Sequence, residues 1–380
     1  MQWLSAITTH RPSRLWKIAL AATLWTAAST GAPRLAHAGS GHAAASSQAS
    51  AARRIVGYVP AWERGNGYLP GQIDFGVVTT VAHFAVTPLP DGTLAPPDWG
   101  PFPDPALVTR AHATGASIVL VIGGDHPAAT RGFAAVVQPE LRPIFVAQVR
   151  ALVDADGYDG IDLDWEFPHD AAARDGLTDV VAALRAALGP TRTLSLSVPA
   201  SGFWGEWFDV AALAPNVDWF GVMTYGLSGP SWDDHSDSNA ALFPGRSGEA
   251  SVDTAVSYYV GRGAPPEKLL VGLPFFGQRF DDATALHQPL KHSGGTTISY
   301  PEVLDLVAEG WAEQWDPVTS VPFLTAPAAP GLVSYDDPRS FGAKCSYVRT
   351  HALGGVLLWH VGQDLRNGAQ PLLAAAGACR

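Results

Sequence analysis

Cysteine is scarce: the 380 residues hold two, Cys345 and Cys379. That leaves room for one disulfide, which an oxidising compartment permits and which would tie the C-terminus to the last helix. Metal-ligand spacings are missing. No CxxC, HExxH or EF-hand pattern occurs and the 12 histidines are scattered, so neither a metal site nor a cofactor is expected. Basic residues are few, 24 against 35 acids, and the net charge of −11 argues against nucleic acid or an anionic membrane as partner. A neutral substrate is indifferent to this charge. No apolar run is long enough to span a bilayer. No repeat of 20–50 residues is present. No Gly-rich phosphate loop follows the first β-rich run either, since VPAWERGNG (59–67) contains no GxGxxG.

What is present begins with an unusual N-terminus. Arg11, Arg14 and Lys17 precede the apolar run IALAATLW, and Ala36-His37-Ala38 follows. A basic start, a short apolar stretch and a small-x-small site read as a secretory signal peptide over residues 1–38. Its removal takes away four basic residues and no acid, which moves the net charge from −11 to −15. Residues 39–53, GSGHAAASSQASAAR, read as a flexible linker. A secreted protein, extracellular or periplasmic and free of the membrane after cleavage, is expected.

From residue 54 onward, apolar β-rich runs recur with helical patterns between them. They are RIVGYVP (54–60), VTTVAHFAV (78–86), SIVLVIGG (117–124), DGIDLDWE (159–166), LSLSVPA (194–200), WFGVMTY (219–225), LLVGLPFF (269–276) and GGVLLWH (354–360). Several are continuously hydrophobic, as parallel strands buried on both faces should be. Eight such strands, each followed by helix-like sequence, predict an α/β fold of the (β/α)8 TIM barrel type over residues 54–380. A doubly wound open sheet is the alternative, weakened by the missing phosphate loop. The widest gap between strands predicts a small insertion between strands seven and eight, at about residues 277–330.

The run at 159–166 carries four acids. Side chains alternate along a strand, so Asp162, Asp164 and Glu166 share one face while Ile161, Leu163 and Trp165 share the other. In a barrel the first face points inward and the second packs against helices. Asp159 has the wrong parity and supports the strand's start. Three carboxyls in a low-dielectric interior cannot all ionise cheaply, so a shared proton and a raised pKa are expected. A raised carboxyl pKa is what a general acid needs at neutral pH. Glu166, nearest the end of the strand where barrels hold their active sites, is the candidate. A hard-cation site or a structural cluster are the competing readings of these acids.

The spacing DxxDxDxE resembles the signature of family 18 glycoside hydrolases, the chitinase family. VAHFAV, GVMTYG, GLPFFGQRF and SYDDPRSFGAKCSYV…GGVLLWHVGQD are similar to further segments of that family, so the resemblance runs from about residue 54 to 366. It implies that Glu166 protonates the glycosidic oxygen and later activates water. The substrate's own 2-acetamido oxygen attacks the anomeric carbon, Asp164 orients that amide, and Asp162 trades a proton with Asp164. Tyr225 would hydrogen-bond the acetamido oxygen and Trp359 would lie beneath the reacting sugar. Tyr58, Phe84 and Met223 would line the pocket, and Trp165 and Gly124 are counted with them; for Phe84 and Met223 ordinary core packing is an equal reading. Trp62, Trp99, Trp204, Trp207 and Trp232, in or near loops after strands, offer stacking platforms for further sugars, and covering the barrel rim is an equal reading of them.

Two positions depart from the family pattern. Its third strand reads S-x-G-G, and here the residues are Val121-Ile122-Gly123-Gly124, so a hydroxyl under the carboxylates is missing. The aspartate of its M-x-Y-D segment is Gly226. The resemblance implies a secreted, monomeric hydrolase of β-1,4 bonds between N-acetylglucosamine units in chitin or chitooligosaccharides. An endo-β-N-acetylglucosaminidase acting on glycans or peptidoglycan remains open, as does a chitin-binding lectin without turnover.

Overall fold

The computed structural model describes residues 53–290 and 294–380. The expected signal peptide and all of the linker except Arg53 lie outside the described residues.

Eight strands run parallel: Arg54–Pro60, Thr80–Pro88, Ser117–Gly123, Gly160–Asp164, Thr193–Pro199, Trp219–Met223, Leu269–Pro274 and Gly355–Trp359. Each pairs with its successor, and the eighth pairs back with the first through Arg54↔Gly355 to Gly57↔Leu358. The sheet is therefore closed, and it is a (β/α)8 barrel. Alternation along the strands sorts the apolar side chains into two layers. Val56, Tyr58, Val119, Val121, Leu270 and Leu357 fill the interior. Their neighbours Ile55, Leu120, Ile161, Leu163, Val271 and Val356 belong to the layer between strands and helices. The interior is thus a packed core, as in other barrels of this size.

Helices begin where a short polar side chain can accept backbone N–H groups. Asp104 accepts from Ala106 and Leu107 ahead of Pro105–Ala113, and Asp170 accepts from Ala173 ahead of Ala171–Leu188. Ser251 and Thr254 form a reciprocal cap on Val252–Gly261, as Asp337 and Ser340 do on Pro338–Thr350.

The expected helix after every strand is not found everywhere. Between strands one and two the chain makes only the 3-10 turns Ala61–Arg64 and Pro70–Gln72. Gly65, Gly67, Pro70 and Gly71 crowd this stretch and disfavour a continuous helix. Residues 370–380 cover that flank instead. Gln370 Nε2 donates to the Gln72 carbonyl at 2.7 Å, and the Tyr68 hydroxyl donates to Gln370 Oε1 at 2.7 Å. Arg380 Nη2 donates to the Val77 carbonyl at 2.9 Å. Cys379 is bonded to Cys345 on the helix Pro338–Thr350, so the expected disulfide is formed.

The insertion between strands seven and eight is a five-stranded antiparallel sheet with the helix Tyr300–Ala308. Its first strand, Phe276–Phe280, starts two residues after barrel strand seven. The last, Leu332–Ser334, carries the insertion slightly past the expected residue 330.

Candidate active site

The fourth strand ends at Asp164, so Glu166 lies just beyond the regular ladder at the C-terminal end of the barrel. Asp162 and Asp164 are buried, while Glu166 keeps a solvent-exposed edge. Asp159 behaves as its parity predicts: its Oδ2 accepts from the Ile118 backbone N–H at 2.8 Å and contacts His112 Nε2 at 3.0 Å.

The two buried aspartates have opposite surroundings. Asp162 Oδ1 accepts from Ser195 Oγ at 2.6 Å; its Oδ2 accepts from the Tyr58 hydroxyl at 2.8 Å and from Ser197 Oγ at 3.0 Å. Asp164 Oδ1 is buried with no hydrogen-bond partner. Burial leaves the pKa of Asp162 above the ordinary carboxyl value, and the three hydroxyls offset part of that rise. Burial first, then the charges of Glu166, Asp162 and Asp125, hold Asp164 well above the usual carboxyl range. Burial, aided by the charge of Asp125, pushes Glu166 up to about 8. All three carboxyls are pushed toward keeping protons, and only Asp162 has hydroxyls that support its ionised form. A proton donor at neutral pH is the chemical result.

Aromatic groups surround the acids. Burial, followed by the charges of Asp164, Glu166 and Asp162, lifts the Tyr225 phenol well above its ordinary value, so it is a neutral donor at any physiological pH. Gly272 makes room for this ring: a Cβ there would lie 2.8 Å from Tyr225 Cε1. Trp359 ends strand eight, partly exposed, with Phe84 edge-on at 4.9 Å and Tyr58 tilted at 5.7 Å. Phe84 is a member of the interior cluster, and Met223, at the end of strand six, is half-buried. Gly124 has φ +100°, and a Cβ there would press to 2.5 Å from the Phe84 ring. Its part is to let Phe84 sit where it does.

Trp165 requires a correction. Its ring stacks on Phe133 at 5.4 Å in the layer between barrel and helices, with 2% of its surface exposed. Strand parity turns it outward, so it supports the strand from behind and packs away from the acids. Among the loop tryptophans, Trp62 and Trp99 form an edge pair at 4.7 Å, and Trp62 also meets Phe84. Trp204 stacks on Phe167, the residue after the acid, and exposed Phe203 abuts it. Trp232 is exposed and Trp207 half-buried. Gly226 has φ +61° and open space where a Cβ would stand; its N–H donates to Asn239 Oδ1 at 3.0 Å.

Ser195, Ser197 and Asp125 were not singled out from the sequence. The signal for the serines was the alternation LSLSV, which places both hydroxyls on the face of the fifth strand that Asp162 occupies on the fourth. Among the described residues, two clusters outside the row bring possible cation ligands within 4.8 Å of one another: Asp233–Asp234–His235 and Asp237–Glu249–His287. In the second, Arg246 already pairs with Asp237 and supplies the positive charge.

A closed parallel barrel with a carboxyl row at the C-terminal end of strand four, matched by a family model of glycosyl hydrolases, makes this chain a glycoside hydrolase. The family model for glycosyl hydrolases family 18 matches residues 54–364, and the chain belongs to that family. Chitinase B of Serratia marcescens is 27% identical over 340 residues, covering 70% of this chain and 67% of its own. Probable chitinase 2 of Drosophila melanogaster is 28% identical over 272 residues, covering 65% of this chain; the match spans 56% of that relative's length. Catalytic domain 2 of the group II chitinase of Ostrinia furnacalis superposes with a TM-score of 0.79 at 25% identity, over 86% of this chain and 96% of that one. A mutant of the same domain was solved in complex with penta-N-acetylchitooctaose.

Proposed function

We propose that this enzyme is a secreted chitinase that hydrolyses β-1,4 bonds between N-acetylglucosamine units with retention of configuration. The observation that carries the reading is the row itself: Glu166, pushed up to about 8, beside an Asp164 whose buried Oδ1 has no protein partner. Glu166 donates its proton to the glycosidic oxygen. The carbonyl oxygen of the substrate's 2-acetamido group attacks the anomeric carbon of its own ring, and the bond to the leaving sugar breaks. The intermediate is a cyclic oxazolinium ion. Asp164 accepts the amide N–H and passes its proton to Asp162, so that it balances the positive charge as a carboxylate, and Tyr225 donates to the acetamido oxygen. Glu166, now ionised, takes a proton from water as it attacks, and the two displacements return the original anomer. Trp359 lies under the reacting sugar, and the Phe167–Trp204–Phe203 group is a platform for a further ring. The basic–apolar N-terminal pattern and the Cys345–Cys379 bond support export to an oxidising compartment.

The test uses substrate series and product stereochemistry. Chitohexaose is expected to be cut to β-anomeric products at early times, while cellohexaose and fully deacetylated chitosan oligomers stay intact. A thiazoline analogue of chitobiose is expected to inhibit competitively, and activity is expected to survive EDTA. Early α-anomer, or cellohexaose cut as fast as chitohexaose, would overturn the reading.

A further inference from the structure

Val121 of strand three stands in register with Asp162 and presents only methyl groups to the interior. On the other side of strand four, Ser195 is the register partner of Asp162, and Ser197 follows two residues later on the same face. Ser197 is buried, and its Oγ lies 3.0 Å from both Asp162 Oδ2 and the Tyr58 hydroxyl. Three hydroxyls thus converge on Asp162 and none on Asp164. A carboxylate accepts all of these protons in charge-assisted bonds; protonating Asp162 would weaken every one of them. The hydrogen-bond inventory decides where a shared proton rests.

We propose that Ser197 is a positioning residue which, with Tyr58, keeps the row's shared proton on Asp164, and that it supplies from the fifth strand the hydroxyl that the third strand lacks at Val121. The proposal rests on the reading of the row as a hydrolytic site. Ser197 touches no substrate; it acts through Asp162. Without it, Asp162 competes for the proton, and the pair reaches its doubly protonated, inactive form at a higher pH. A hydrogen bond to a charged group is worth enough to move such a titration by about one pH unit.

The experiment follows kcat/KM on a chromogenic chitobioside against pH for the wild type, Ser197→Ala, and Ser197→Ala combined with Val121→Ser. In Ser197→Ala the acidic limb is expected to move up by about one pH unit. The double variant, with a hydroxyl restored across the strand, is expected to return the limb toward the wild-type position. An unmoved limb in a folded Ser197→Ala enzyme would overturn the proposal, and a moved limb that Val121→Ser fails to bring back would overturn the relocation. If the alanine variant does not fold, the near-isosteric Ser197→Cys, which offers only a weak donor, carries the same expectation. A second readout needs no turnover: carboxyl-13C titration of the aspartates in Glu166→Gln, assigned with Asp162→Asn and Asp164→Asn. There the gap between the two macroscopic steps of the pair is expected to narrow when Ser197 is removed. A wild type that ignores the chitobioside would count against the hydrolase reading, while this titration would still decide the role of Ser197.

Discussion

Glu166 combines two demands that pull in opposite directions. As the proposed acid it must hold a proton near neutrality, yet lie within reach of a polar bond in water. Burial with Asp125 at a distance provides the first, and its place just past the strand's end provides the second. Glu166→Gln removes the proton and keeps the shape, so hydrolysis of a chromogenic chitobioside should fall by roughly 10²–10⁴-fold with the fold intact. In the wild type, kcat/KM should decline as pH rises through about 8, because only the protonated acid works. The same shift has a stability consequence. A carboxyl whose folded pKa is raised contributes stability below its unfolded value, and that contribution is lost as pH rises through the folded one. Glu166→Gln, which cannot ionise, should therefore melt above the wild type at pH 8–9, and the gap should close toward pH 4. Thermal scans at both ends of this range check the sign.

At the scale of single elements, the fourth strand was readable because parity is a strict rule. Asp162 and Asp164 point in, Ile161 and Leu163 point out, and the same rule sends Trp165 outward although its neighbour Glu166 belongs to the site. Ser195 and Ser197 followed that rule too, but a serine in a strand carries no mark of its own. What matters about them is which carboxyl lies across the ladder, and register is a property of two strands rather than one. The missing first helix was harder to read, because its substitute lies some 300 residues away. The helix Pro338–Thr350 shows a further element-level device. Lys344 Nζ, fully buried, lies 2.7 and 2.8 Å from the two oxygens of the equally buried Asp336, and Ser340 completes the set. Lys344→Met should cost about 3–5 kcal/mol at pH 7, because it strands a buried charge. The loss should shrink at acidic pH as Asp336 takes up a proton. Denaturant titrations at pH 7 and pH 4.5 would test both statements.

The molecule as a whole is held at one seam by chemistry rather than by packing alone. The Cys345–Cys379 bond closes 34 residues of sequence and fixes the segment that covers strands one and two. Replacing both cysteines with serine should lower stability by about 2–4 kcal/mol. Amides of strand one and of the Tyr68–Val77 stretch should then exchange faster than those of strands four to six. Equal protection in both regions would show that the cover holds without its bond.

That cover has a consequence in time. Its contacts join Tyr68, Gln72 and Val77 to Gln370 and Arg380, partners separated by 298 to 303 positions. A ribosome adding about 5–20 residues per second needs on the order of 15–60 s to travel between them. For that interval the apolar flank of the first two strands, Ile73 and Val77 among it, emerges with nothing of its own to cover it. Strand one is also waiting for Gly355–Trp359 to close the barrel. The earliest part of the barrel to be made is thus the last to be finished, and the nascent chain passes through synthesis as a client for whatever chaperones it meets.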